Sequence, residues 1–309
     1  MHRSGTCKAA RDNMLRVKAA ALAVLAAVPI AGCGGGGDGG GAAHASSAKR
    51  GAAPATATRK APARVHALRV RVTVAGRLPA PVQLPATAAL SDGSTLALGG
   101  LSASDTSVAD IVRVDASGAA RRIGSLPGPL HDAAAAALGT TTYFLGGGNI
   151  GSSAAILRVP PSGSTSTAGH LPVPASDVEA AAIGHTIYVV GGYTGSVPLR
   201  SILAFTPGRG VRAVAEMPRP LRYAAVAVVG GRLLIAGGTS GVTAERAILS
   251  FDPATRRVRT IGELPHATTH AAGAALGGRF LVIGGRGDSL ASQRRTILAI
   301  DPRSGRARS

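Results

Sequence analysis

The residues able to do chemistry in this chain are few, and their spacing excludes more than it admits. Cys7 and Cys33 are the only cysteines, so neither thiol catalysis nor a disulfide is available to the long region that follows. His131, His170, His185, His266 and His270 show no spacing of a metal site, and no metal or cofactor is expected. No Gly-x-Ser-x-Gly elbow and no phosphate loop stands between a strand and a helix. Asp177 and Glu179 are two apart, which on an extended strand puts both carboxylates on one side. Arg222 and Arg286 are the natural anchors for a ligand, because a guanidinium grips a carboxylate or sulfate with two parallel donors. Arg286-Gly287-Asp288 matches the integrin tripeptide, too short a match to carry weight. No residue is assigned a catalytic role.

The elements that must position these groups follow from a repeat. Gly-Gly doublets occur at Gly99, Gly146, Gly191, Gly237 and Gly284, at intervals of 47, 45, 46 and 47 residues. A period of this length marks a repeat architecture in which no unit buries its apolar face alone. Leu-Pro or Met-Pro stands 20 or 21 residues before each doublet, as at Leu78-Pro79 and Met217-Pro218. Between them lie a small-apolar run (Ala224 to Val229), a tight turn (Asp92-Gly93, Gly230-Gly231, Gly277-Gly278) and a second run such as Thr186 to Val190. The turn residues are those that tolerate positive φ in two-residue hairpins. A polar loop follows, then a third strand (Ile202 to Phe205, Ile248 to Phe251) and a fourth (Val258 to Ile261). Four short strands joined by hairpin turns make one blade of a β-propeller.

This grammar resembles the kelch repeat, over roughly residues 70–302. Kelch repeats place the doublet at the end of the second strand, as here, and usually carry a Tyr before it and a Trp in the fourth strand. Here the Tyr position reads Leu96, Tyr143, Tyr188, Leu233 and Phe280, and Trp is absent. Aliphatic contacts between blades are therefore expected. The kelch-like galactose oxidases need copper ligands and a Tyr–Cys crosslink, and no cysteine follows Cys33.

The expected fold is all-β, a propeller of about five four-stranded blades. The segment Val70 to Pro79 has the pattern of Val258 to Pro265, so it is expected to pair beside residues 296–301 as the missing fourth strand and close the ring. The resemblance implies a ligand face formed by the loops after the doublets and those leading into each first strand. The first set contains Leu101, Asn149, Tyr193, Thr239 and Arg286. The second contains His131, Asp132, Asp177, Arg222, Tyr223 and His270, with Glu179 just beyond. From these, Arg222, Tyr223, Arg286, Tyr193, His131, Asp177, Glu179 and His270 are the candidate ligand-binding residues, converging on one channel mouth.

The N-terminus reads as an address. Residues 19–30 form a 12-residue apolar run behind Arg16 and Lys18, too short to span a bilayer and suited to a signal peptide over residues 1–32. Met14 begins a signal of more ordinary length than Met1 does. Ile30-Ala31-Gly32-Cys33 resembles a bacterial lipobox, which implies that Cys33 becomes the lipid-modified first residue of the mature chain. Residues 33–62 then form a disordered Gly/Ala/Pro linker spanning about 30 Å on average, and residues 63–309 the propeller.

The formal charge of +19 is unevenly built: Lys8, Lys18, Lys49 and Lys60 are the lysines, so the repeats are basic through arginine alone. Such a balance favours anionic surfaces, while no module for nucleic acid appears. The expected protein is anchored to the cell membrane and faces outside the cytoplasm. It is a non-catalytic binding or scaffolding module for a protein, peptide or glycan of the cell envelope. The alternative is a secreted carbohydrate-active enzyme such as a sialic-acid-type mutarotase.

Overall fold

The computed structural model describes residues 70–309; the proposed signal peptide, Cys33 and the linker lie outside the described residues. Each repeat folds as one antiparallel sheet with its strands in chain order. Blade 1 holds β1 (Ala86–Ala89), β2 (Thr95–Leu98), β3 (Asp110–Val114) and β4 (Ala120–Ser125). Blade 2 holds β5 (His131–Leu138), β6 (Thr141–Gly148), β7 (Ala155–Val159) and β8 (Ser166–His170). Blade 3 holds β9 (Glu179–Ile183), β10 (Thr186–Val190), β11 (Ser201–Thr206) and β12 (Gly210–Glu216). Blade 4 holds β13 (Ala225–Val229), β14 (Arg232–Ala236), β15 (Ala247–Asp252) and β16 (Arg257–Glu263). Blade 5 holds β17 (Ala272–Leu276), β18 (Arg279–Ile283), β19 (Ile297–Ile300) and β20 (Ala307–Arg308). The molecule is a five-bladed, all-β propeller.

Blades stack through their sheet faces. Leu96, Leu98 and Ile111 of blade 1 meet Phe144, Leu157 and Val159 of blade 2 in one buried cluster, and the equivalent positions repeat at the next three junctions. The expectation of purely aliphatic contacts holds only in part. Tyr143 of blade 2 packs edge-on against Phe205 of blade 3, ring centroids 5.3 Å apart, and Tyr188 of blade 3 packs against Phe251 of blade 4 at 5.4 Å. A Phe at the end of the third strand thus supplies the aromatic partner that a fourth-strand Trp would otherwise provide, with the tilted geometry the ring quadrupoles favour.

The doublets join one blade to the next. Gly100, Gly147, Gly192 and Gly238 donate their N–H groups to the carbonyls of Leu130, Ala175, Leu221 and Thr268 at 2.8 to 2.9 Å. Gly191 shows why the residue before the donor is also Gly. Its φ is +58°, and a Cβ there would stand 2.1 Å from the Leu221 carbonyl oxygen.

The closing strand differs from the expectation. The fourth strand of blade 5 is β20, in which Ala307 and Arg308 pair with Ile300 and Ala299; residues 70–79 form no strand. The turn after Asp301-Pro302 brings this about. Gly305 at φ +66° donates to the Asp301 carbonyl at 2.9 Å, and Asp301 donates to Arg306 at 3.0 Å, so the chain folds straight back. The likeness between residues 70–79 and a fourth strand still has a structural counterpart. Gly76 lies so close to Gly118, in the β3–β4 turn, that a Cβ on Gly76 would be 1.9 Å from the Gly118 carbonyl oxygen. Gly124 of β4 meets Gly163 of blade 2 in the same way, as Gly262 of β16 meets Gly305 of blade 5. Residues 75–76 therefore take the place against blade 1 that a preceding blade's outer strand takes against its successor.

Candidate functional site

One residue per blade, just ahead of the inner strand or, in blade 2, at its start, adopts a left-handed backbone without being glycine: Leu84, Asp132, Asp177, Tyr223 and His270, with φ from 52° to 57°. Such a conformation is costly for an L residue and persists only where surrounding structure holds it. Here a backbone ladder does so. Asp177 donates its N–H to the Asp132 carbonyl at 2.6 Å, Tyr223 to Asp177 at 3.3 Å and His270 to Tyr223 at 3.1 Å. In four blades the residue before each of them is bridged to the residue that directly follows the same blade's Gly-Gly doublet: Gln83 to Leu101, Ser176 to Tyr193, Arg222 to Thr239 and Thr269 to Arg286. In blade 2 the pair is His131 and Gly148, so Gly148 rather than Asn149 holds the repeat position. The two sets read from the sequence thus alternate around one mouth.

Their side chains form a hydrogen-bonded group. Arg222 directs Nε and Nη2 at Asp177 Oδ2, whose side chain is only 3% exposed. The same guanidinium lies 3.9 Å over the Tyr193 ring and 5.2 Å from the Tyr223 ring, both within cation–π range. The Tyr223 hydroxyl donates to Asp132 Oδ2 at 3.0 Å, and its ring stacks on His270 at 3.8 Å. Arg286 Nη2 stands 3.4 Å from His270 Nε2, and Arg286 Nη1 donates to the carbonyls of Gly287 and Asp288 at 3.2 and 3.3 Å. His131 sits at the other end, with Nε2 3.8 Å from Asp132 Oδ2 and Nδ1 2.8 Å from Ser107 Oγ.

The electrostatics follow from this packing. Burial raises the Tyr223 hydroxyl well above its ordinary value, and the carboxylates of Asp132 and Asp177 push it further, so the phenol stays a donor. Burial alone would lower Arg222, but Asp177 and Tyr223 together more than offset it and the guanidinium is held above its usual range. Arg222 is consequently engaged within the protein. Arg286 has no carboxylate within ion-pair distance among the described residues and lines a shallow cavity of about 280 Å³ with Arg222, Tyr223, Thr239, His270 and Asp288.

Glu179 stands at the first position of the inner strand, two residues beyond Asp177. It opens β9 opposite Val190, and the left-handed backbone at Asp177 interrupts the alternation on which a shared side depended. Sequence reasoning also passed over the loop tips. The loop after each doublet is closed at its base by a bond to the second glycine's carbonyl: Val108 to Gly100, Ser153 to Gly147, Leu199 to Gly192, Glu245 to Gly238 and Arg294 to Gly285, at 2.7 to 2.9 Å. At the tips Ile150, Val197, Val242 and Leu290 are 103%, 56%, 93% and 68% exposed. Their offsets of four to six residues from the doublets were a signal available in the sequence. The mouth is therefore a polar centre surrounded by aliphatic tips from blades 2 to 5.

Fold and repeat spacing together define a five-bladed β-propeller, and two of its repeats match the kelch motif. The family model for the kelch motif matches residues 174–210 and 220–265, which are the units of blades 3 and 4. Among solved structures, that of YjhT aligns with a TM-score of 0.64 at 13% identity, covering 74% of this chain and 84% of its own, a likeness of fold. No curated protein matches the chain in sequence.

Proposed function

We propose that this propeller is a non-catalytic binding module, anchored at the cell envelope through Cys33, that takes a protein, peptide or glycan ligand bearing an anionic group at the mouth. The observation that carries this reading is Arg286, a guanidinium without a carboxylate partner among the described residues, facing a cavity whose lining includes the exposed aliphatic tip Val242. A cation in a concavity selects charge, and apolar tips around it bury area on a partner. The anchor rests on the lipobox-like run ending at Cys33.

Binding of envelope extract and of an acidic glycan array by the full chain should fall at least ~10-fold in Arg286→Ala, while the melting temperature stays within a few degrees. Unchanged capture by that variant would remove the mouth from consideration. Cys33→Ala should move the protein from the membrane to the soluble fraction; unaltered partitioning would sink the anchor.

A second reading, an enzyme acting on acidic sugars, draws on the contact between Arg286 and His270, which puts a carboxylate anchor beside a group that moves protons near neutral pH. Turnover of a carboxylated sugar that His270→Gln abolishes would favour it over simple binding.

A further inference from the structure

The arginines of the repeats are not spread evenly, and their placement points to a second surface. On the mouth side, cations and carboxylates balance in number: Arg122 pairs with Asp110, Arg200 with Glu216, Arg219 with Glu245, Arg222 with Asp177 and Arg246 with Glu263, and Arg286, Arg294 and Arg295 are offset there by Asp105, Asp132, Glu179 and Asp288. At the opposite ends of the strands, where the β1–β2 and β3–β4 type turns lie, the carboxylates are few and already used. Asp92, Asp252 and Asp301 pair with Arg113, Arg232 and Arg279, and Asp115 accepts the N–H groups of Ser117 and Ala119 in its own turn.

What remains there is cationic and repeats with the fold. On the outer strands Arg121, Arg212, Arg259 and Arg308 occupy one register, opposite Arg113, Ala204, Ser250 and Ala299. In blade 2 the same rung carries Arg158 opposite Ser166. Every blade thus presents an arginine on this rung, and Arg121, Arg158, Arg212, Arg259 and Arg308 are all exposed. None has a carboxylate within ion-pair distance among the described residues. Arg209, Arg256, Arg303 and Arg306 add exposed cations in the adjoining turns of blades 3 to 5. A mere compositional excess of arginine would fall on both sides alike; here the excess of arginine over carboxylate lies on the turn side, and its core repeats at a fixed register.

We infer that the turn side is a docking surface for the anionic phosphate headgroups of a lipid bilayer. The cations are distributed over all five blades rather than drawn into a groove, which suits a planar array of charge. The described tyrosines and phenylalanines lie between blades or at the mouth, so the turn side offers nothing on which bases would stack. Apart from Val72 and Val74, which lead to the Gly76 contact with the β3–β4 turn of blade 1, the turns carry no exposed large apolar residue, so the attachment is mainly electrostatic, peripheral and released by salt. This surface is separate from the mouth, and its test does not depend on the ligand proposed there.

The test uses the full chain with Cys33→Ser, so that no acyl chain contributes, and vesicles of phosphatidylcholine with or without phosphatidylglycerol. Binding is expected on the phosphatidylglycerol vesicles at about 50 mM salt and not at about 0.5 M, consistent with screening. Replacing Arg121, Arg212, Arg259 and Arg308 together by Ser, the residue blade 2 carries at position 166, should weaken it roughly 100-fold or more. If that variant does not fold, Arg209→Ser with Arg256→Ser, Arg303→Ser and Arg306→Ser in the exposed turns should show the same direction of change. Equal binding by parent and folded variant, equal binding to phosphatidylcholine alone, or binding to soluble polyphosphate without binding to vesicles would each overturn the inference.

Discussion

Gly191→Ala is expected to lower the melting temperature by roughly 10 °C or more, among the largest effects of any single methyl group in this protein. Two costs combine at that position. A left-handed backbone costs an L residue about 1–2 kcal/mol, and Gly191 has φ +58°. The added Cβ would also stand 2.1 Å from the Leu221 carbonyl oxygen, the acceptor for Gly192. Relieving that overlap means moving blade 4 away from blade 3, at an overpacking cost of about 1–3 kcal/mol. For a domain of this size each kcal/mol corresponds to about 2–4 °C. Gly230→Ala isolates the first cost, because Gly230 has nearly the same φ, +59°, with nothing within 4 Å of its Cβ position. It should lose only about 2–4 °C, or about 1 kcal/mol. Equal losses in the two variants, measured by thermal denaturation, would show that the doublets are needed for their backbone angle alone.

Arg222→Ala should have the second large effect, and its origin is different. The substitution leaves the Asp177 carboxylate, 3% exposed, without its cation. Removing one partner of a buried pair typically costs about 3–5 kcal/mol; with the guanidinium partly open to water, about 3 kcal/mol is expected here. It also removes the cation above the Tyr193 ring. The double variant Asp177→Asn with Arg222→Met should recover most of that loss, since no charge is then left buried. If Arg222→Ala melts as the parent does, the pair contributes no net stability and Asp177 has found other donors. The double variant should still bind acidic ligands through Arg286, which separates the folding role of Arg222 from the binding role of its neighbour.

The repeat was legible because glycine doublets at a fixed period answer a demand that other residues meet poorly, positive φ beside a neighbouring backbone. Strand order and hairpin positions followed from it. The end of blade 5 was misread because β20 is a two-residue strand, shorter than any hydrophobic pattern can mark, while residues 70–79 carry the pattern of an outer strand without pairing as one. At the mouth, the offset of 14 residues before a doublet located Asp132, Asp177, Tyr223 and His270. It did not disclose their left-handed backbone, since Tyr and His are not residues from which one infers it. Nor did it show that Arg222 would be spent on Asp177, 45 residues earlier. That pairing depends on the rotation between successive blades. It changes which arginine is open to a ligand.

The bond that closes each mouth loop onto the second glycine of its doublet has a consequence for how the protein can change. A loop tied at its base transmits little of its length or sequence to the sheet beneath. The blade 5 loop already runs from Arg286 to Gln293, against Tyr193 to Pro198 in blade 3, with the same closure at both bases. The five loops therefore behave as exchangeable cassettes on a common socket. New recognition surfaces can be grafted there, one blade at a time, while the propeller below keeps its register.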